Sequence, residues 1–201
     1  MKEEILNRAT EMFLNLGFKS VTMDDLAKRM SISKKTIYSH FCNKTKLVEE
    51  STMHLFNVIT DGIDEIVAQE KNPIEELYEI KKLVMGHLND EKASPQFQLQ
   101  KYYPKVHRCL KTMQFDKMHG CVLKNVQRGV EMGLYRPNLD AEFVARIYFA
   151  GVNNIKDSEY FSTGEFSQAV LMDNFLEYHL RGIVTPEGRQ KLNSIINSNQ
   201  E

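Results

Sequence analysis

The chain has no tryptophan, only five prolines and ten glycines among 201 residues, and no apolar run near the roughly eighteen residues of a membrane-spanning helix. So few helix breakers leave room for long helices, and nothing in the composition is fibrous or low-complexity. Cysteine is scarce as well. Cys42, Cys109 and Cys121 are odd in number and lack CxxC spacing, which argues against a disulfide framework or a zinc site. Reduced, partly buried thiols are expected. HExxH, ExxH, GxSxG and GxxxxGK are all missing, so neither a cofactor nor a metal is expected. The start, Met1-Lys2-Glu3-Glu4, lacks the apolar stretch of a signal peptide, and a cytoplasmic address is expected. A surplus of positive charge is absent too. The net charge of −1 excludes a protein that coats nucleic acid nonspecifically. The charge is slightly uneven, however: residues 1–50 carry nine Lys and Arg against seven Asp and Glu, a net of +2.

What is present is helical periodicity from end to end. Ile5, Leu6, Ala9, Met12, Phe13 and Leu16 recur at three and four, an amphipathic helix that Gly17 is suited to stop. Thr22 is then a good N-cap with Asp25 three residues later, so a short helix starts at Met23 with Leu26, Ala27 and Met30 on one face. Ser31-Ile32-Ser33 is a three-residue turn in which Ile32 is the apolar plug and Ser33 the next cap. The following helix starts at Lys34. Ile37 and Phe41 face its core, which leaves Lys34, Lys35, Thr36, Tyr38, Ser39 and His40 on the other faces.

Two short helices at this spacing, the second exposed and rich in donors, form a helix-turn-helix. The candidate DNA-contacting residues are Thr22, Ser33, Lys34, Lys35, Thr36, Tyr38, Ser39, His40 and Lys44. The N-terminal residues of the second helix would reach base edges, and Tyr38 and Lys44 would contact phosphates. A basic helix face is usually only solvated. Here the caps, the small Ala27, the turn and the aromatic all fall at the right spacing together.

These residues also carry a family resemblance. Met1 to Leu47 resembles the N-terminal domain of the TetR family of transcriptional regulators through Ile5, Ala9, Phe13, Gly17, Phe18, Val21-Thr22-Met23, Leu26-Ala27, the run Ser33 to Phe41, Lys44 and Leu47. Ser31 stands where the family usually has Gly, which implies modest strain if its φ is positive. Lys35 stands where a small residue is common and is expected to alter which bases are read. The resemblance implies a homodimer that holds a palindromic double-stranded operator and is released by a small-molecule effector.

Beyond Leu47 the likeness lies more in layout than in residues. One helix from Lys44 to about Gln69 is expected, with Leu47, Val48, Ser51, Leu55, Val58, Ile59, Gly62, Ile63 and Ile66 on one face and its C-terminal half buried. Another begins at Pro73, and Asn89 to Pro95 should be a loop. Pro104 falls inside an otherwise helical stretch that it should kink, and a kinked helix rich in aromatic, Met and His residues suits a ligand cavity. The candidate ligand-binding residues are Tyr102, Tyr103, His107, Met113, Met118, Cys121 and Tyr148. Two further helices should present Phe143, Val144, Ile147, Ala150 and Gly151, and then Phe166, Ala169, Val170, Phe175, Leu176 and Leu180, the second after a capping box at Ser162 to Glu165. The resemblance implies that these last two long helices form a four-helix dimer interface, with Ala150, Gly151, Met172 and Phe175 as candidates. Thr185 to Glu201 reads as a short helix and a disordered tail.

The expectation is an all-α chain with a helix-turn-helix domain at 1–47 and a helical effector-binding and dimerisation domain at 48–201. It should act as a ligand-responsive DNA-binding regulator, not an enzyme, with no membrane partner. Scattered His, Cys and acidic residues bring no base onto a nucleophile. The alternative, a helical adaptor without DNA reading, leaves the exposed Lys34, Lys35, Tyr38 and Lys44 unexplained.

Overall fold

The computed structural model describes residues 1–88, 95–155, 161 and 167–198, with Pro95 and Gln96 described by backbone alone. Its helices are α1 (Lys2–Leu16), α2 (Met23–Met30), α3 (Lys34–His40), α4 (Lys44–Val67), α5 (Pro73–Leu88), α6 (Pro95–Tyr102), α7 (Pro104–Glu131), α8 (Ala141–Ile155), α9 (Gln168–Ile183) and α10 (Pro186–Ser198). Among the described residues no strand forms, and extended pairing is limited to an isolated bridge between Tyr135 and Val184. The fold is all-α. The chain packs as two compact units, Met1–Gly62 with Gly86–Met113, and Ile63–Met85 with Gln114–Glu201. These units divide the chain elsewhere than at Leu47.

In the first unit, α1 buries Ile5, Leu6, Ala9, Met12 and Phe13 against Leu26, Ala27, Ile37, Phe41, Leu47 and Val48. Leu16, expected on this stripe, is exposed as the last residue of α1, which Gly17 follows with φ +87°. Gly17 itself has no room for a side chain, since a Cβ there would meet Gln98. Three short helices bury too little apolar surface to be secure alone. Leu99 of α6 and Val106 of α7 supply more, and Tyr103 meets Phe18 edge-on at 6.2 Å between ring centroids. Each buried aliphatic side chain contributes about 1.5–3 kcal/mol.

Pro104 does not kink a helix from within. Tyr103 interrupts the helix and Pro104 is the first residue of α7, where its missing N–H costs nothing. The Tyr103 N–H still donates to the Leu99 carbonyl and the His107 N–H to that of Tyr103, so the break is brief.

In the second unit, Ile74, Leu77, Val122, Val126, Val144, Ala145, Leu171, Leu176, Leu180 and Leu192 form one core around Tyr135. A buried polar chain fixes the start of α5 to α7. Asn125 donates to the Pro73 carbonyl at 2.9 Å and to Glu76 at 2.7 Å, the Tyr135 hydroxyl donates to Asn125 at 3.1 Å, and Arg128 donates to Glu76 at 2.6 Å and to the Lys71 carbonyl. Both carboxylate oxygens of Glu76 are thereby satisfied, as burial of a charge demands. Gly129 makes this possible, because a Cβ there would sit inside the Tyr135 ring.

Several expectations are corrected here. On α8 the buried residues are Val144, Ala145, Tyr148, Val152 and Ile155, whereas Phe143 and Ile147 are 63% and 48% exposed. Glu142, Arg146 and Asn153 share the face opposite the buried residues, and Phe143 and Ile147 fall on the flank between them. Val170 of α9 is likewise exposed. On α4 only Leu47, Val48 and Ser51 are buried; Val58 is exposed, and Leu55, Ile59, Gly62, Ile63 and Ile66 are half-buried. Cys42 and Cys109 are exposed and only Cys121 is half-buried. The helix expected after Thr185 is α10, with Leu192 sealed in the core and Lys191 paired to Glu75 at 2.7 Å, and residues 199–201 of the expected tail lie outside the described residues. The expected capping box at 162–165, Phe166 and the loop residues 89–94 lie outside the described residues; α9 is capped by Ser167.

Candidate nucleic-acid interface

The geometry of the reading head follows from its caps. The Thr22 hydroxyl accepts from the Asp25 N–H at 3.1 Å, while the Asp25 carboxylate accepts from the Thr22 N–H at 2.9 Å and from its hydroxyl at 2.7 Å. These hydrogen bonds hold the Asp25 carboxyl below its ordinary range. The Ser31 N–H closes α2 with Ser31 in the left-handed region at φ 55°, the conformation that glycine adopts without strain. Ile32 packs on the core, and Ser33 caps α3 by accepting from the Thr36 N–H at 3.0 Å.

The candidate contacts divide by what already holds them. Thr22 and Ser33 spend their hydroxyls on caps, and the Thr36 hydroxyl lies 2.8 Å from that of Ser33. Ser39 donates to the Thr36 carbonyl at 2.7 Å. The Lys34 ammonium lies 2.8 Å from Asp24 and 6.0 Å from the centroid of the Tyr38 ring; the Asp24 hydrogen bond raises its pKa. Asp24 lies ten residues before Lys34, and no periodicity in the sequence pairs them. Lys44 donates to the Lys19 carbonyl at 3.1 Å, and desolvation lowers its pKa. This ties the start of α4 to the α1–α2 loop. Lys35 is exposed, as are His40 and Tyr38, the last at 44%. The outer face of α3 therefore offers a cation, an imidazole and a phenol on a helix braced from behind by Ile37 and Phe41.

Residues 5–51 match the family described as bacterial regulatory proteins, tetR family. Over 200 residues, 93% of this chain and 92% of the relative, the sequence is 24% identical to the HTH-type transcriptional repressor KstR2 of Mycolicibacterium smegmatis. Its N-terminal domain is that of the TetR family of transcriptional regulators. The fold is shared with a TetR-family transcriptional regulator from Agrobacterium tumefaciens, at a TM-score of 0.73 and 19% identity over 92% of this chain and 97% of that one. It is also shared with Thermus thermophilus FadR, a TetR-family repressor in complex with lauroyl-CoA, at a TM-score of 0.58 and 20% identity over 90% and 94% of the two chains.

The structure distributes the ligand candidates of the regulator between its two units. Tyr102, Tyr103, His107 and Met113 belong to the first, where Tyr102 is exposed and Tyr103 packs on the core. Met118, Cys121 and Tyr148 belong to the second. Met118 packs against the core, and burial raises the pKa of the Cys121 thiol. Of the dimer candidates, Met172 is buried in the core of its own unit, and the Phe175 ring lies where a Cβ on Gly151 would go. Ala150 is half-buried on α8. No described helix is long and apolar enough to cross a membrane.

Proposed function

We propose that this regulator is a homodimeric repressor of the cytoplasm that grips a palindromic operator through α3 and is released when a small molecule binds its helical body. Residues 1–47 act as the reading head and 48–201 as the body that senses and dimerises. The observation that carries the reading is the outer face of α3, where Lys35, Tyr38 and His40 are exposed on a helix capped by the Ser33 side chain. Tyr38 and Lys44 serve phosphates, Lys34 and Lys35 serve bases, and Thr22, Ser33, Thr36 and Ser39 keep the helices at the required angle. A single seven-residue recognition helix reads few bases, and a two-fold pair places two copies about 34 Å apart.

The exposed apolar row of α8 and α9, Phe143, Ile147, Val170 and Tyr178, supports pairing through these helices, with Ala150, Gly151 and Phe175 beside or beneath it. The chemistry at the interface is recognition, not catalysis, and needs no cofactor.

Footprinting the purified protein on DNA upstream of its own gene, with scrambled competitor, tests the proposal. A protected near-palindrome is expected. Tyr38→Phe and Lys44→Ala should weaken binding alike on all sequences and flatten its salt dependence, and Lys35→Ala should change preference among sequences. Equal effects of all three would overturn this division of roles. Failure of random-sequence selection to yield any site would favour the adaptor reading.

A further inference from the structure

Among the described residues of the second unit, the buried Tyr148 and the half-buried His179 are polar side chains that its hydrogen bonding leaves over. Tyr148 of α8 is 7% exposed, and its hydroxyl has no hydrogen-bond partner; the same holds for the ring nitrogens of His179 on α9. Their ring centroids are 4.9 Å apart, and Phe175 lies within 5.6 Å of Tyr148 and 5.9 Å of His179. Gly151 allows this grouping, because any side chain there would displace the Phe175 ring. The contrast with the neighbouring Glu76–Asn125–Tyr135 chain is sharp, since every member of that chain is satisfied. Nor is the Tyr148 oxygen sealed into packed protein: among the described residues, Ser51 Oγ is the buried side-chain oxygen that is both sealed and unpartnered. The Tyr148 hydroxyl therefore borders space.

With no protein partner, the Tyr148 hydroxyl and the His179 ring nitrogens keep their hydrogen-bonding capacity free for a ligand able to bond to them. Burial also opposes charge on both groups, pushing the Tyr148 phenol up to about 12 and the His179 imidazole down to about 4. Neither therefore supplies a counter-ion. The ion pairs nearest in sequence, Lys81 with Asp173 and Arg181 with Glu177, are already closed on themselves.

We infer that Tyr148 and His179 are the polar end of the effector site, and that the effector is an apolar molecule bearing an uncharged hydroxyl, ketone, ester or amide that bonds to both and lies against Phe175. This rests on the reading of the protein as a ligand-responsive regulator.

The test uses three probes on one skeleton, naphthalene, 2-naphthol and 2-naphthoate, titrated into the full-length protein at up to millimolar concentration and followed by aromatic-carbon NMR. Binding of 2-naphthol with shifts at the Tyr148 and His179 rings is expected, at least several-fold tighter than either companion. Tyr148→Phe and His179→Phe should each weaken 2-naphthol about tenfold and leave naphthalene unchanged. Because the Tyr148 hydroxyl bonds to nothing, Tyr148→Phe should not lower the melting temperature, which separates loss of binding from loss of folding. Tighter binding of 2-naphthoate would overturn the assigned chemistry. Equal binding by both variants, or no binding of any probe, would overturn the site. If 2-naphthol binds there and never weakens operator binding, the site stands and the ligand-responsive reading falls. If it releases DNA equally from wild type and both variants, that reading stands and this inference falls.

Discussion

Ser51 lies two turns into α4 with its hydroxyl oxygen sealed and unpartnered. Such a group costs about 1–3 kcal/mol relative to a satisfied one, and alanine is the better helix former. Ser51→Ala should therefore stabilise the protein by about 1 kcal/mol, raising the melting temperature by about 2–4 °C for a chain of this size. A lower melting temperature would mean that the hydroxyl finds a partner in solution. His179 makes a second prediction at this scale. Burial lowers its pKa from 6.5 to about 4, so between these values the unfolded chain binds more protons than the folded one. Its contribution to stability is complete above pH 6.5 and declines as pH falls toward 4, by a few kcal/mol at most. Urea titrations of wild type and His179→Phe across this range should diverge, with the wild type losing more stability at the acid end; parallel curves would refute a desolvated His179. The sequence shows that a histidine stands at 179, but how far it is desolvated depends on Tyr148 and Phe175, thirty-one and four positions away.

At the scale of elements, the reading head was legible because its determinants are local. Thr22 and Asp25 are three residues apart, as are Ser33 and Thr36, and each pair closes its cap within one turn whatever the rest of the chain does. Thr22→Ala breaks the first box and should cost about 1 kcal/mol of stability. It should also weaken operator binding similarly on every sequence, because α2 supports α3 and reads nothing itself. Chemical denaturation and a competition assay on two operator variants check both parts; a change of sequence preference would make Thr22 a base-reading residue instead. Pro104 shows the opposite case. A proline within an apolar period is compatible with a kink or with a new helix, and the contacts of Leu99, Tyr103 and Val106 with the reading-head core settle it as the start of α7. Asp24 and Lys34 pair across ten residues for the same kind of reason: the turn between α2 and α3 sets their separation.

For the molecule as a whole, assembly is the open quantity. Phe143, Ile147 and Tyr178 expose 63%, 48% and 79% of their surface, an apolar row that a monomer gains nothing by keeping in water. Ile147→Glu places a charge in that row and should convert the proposed dimer to a monomer by light scattering, with operator affinity falling at least tenfold as the second half-site contact is lost. A dimer that survives the substitution would place the interface elsewhere.

By itself, the sequence determined the helices and the reading head. Helical period, caps and turn residues act within one or two turns of chain, and Thr22 and Ser33 took the extended cap conformations that their chemistry favours. Which faces are inside was decided only by the tertiary structure. The apolar surface of α8 is wider than its buried face, so the burial of Tyr148 and the exposure of Phe143 and Ile147 depend on which neighbours pack against it. The Glu76–Asn125–Arg128–Tyr135 chain and the Tyr148–His179 pair were likewise invisible in the sequence, because burial and the pairing of polar groups are properties of residues brought together from distant parts of the chain.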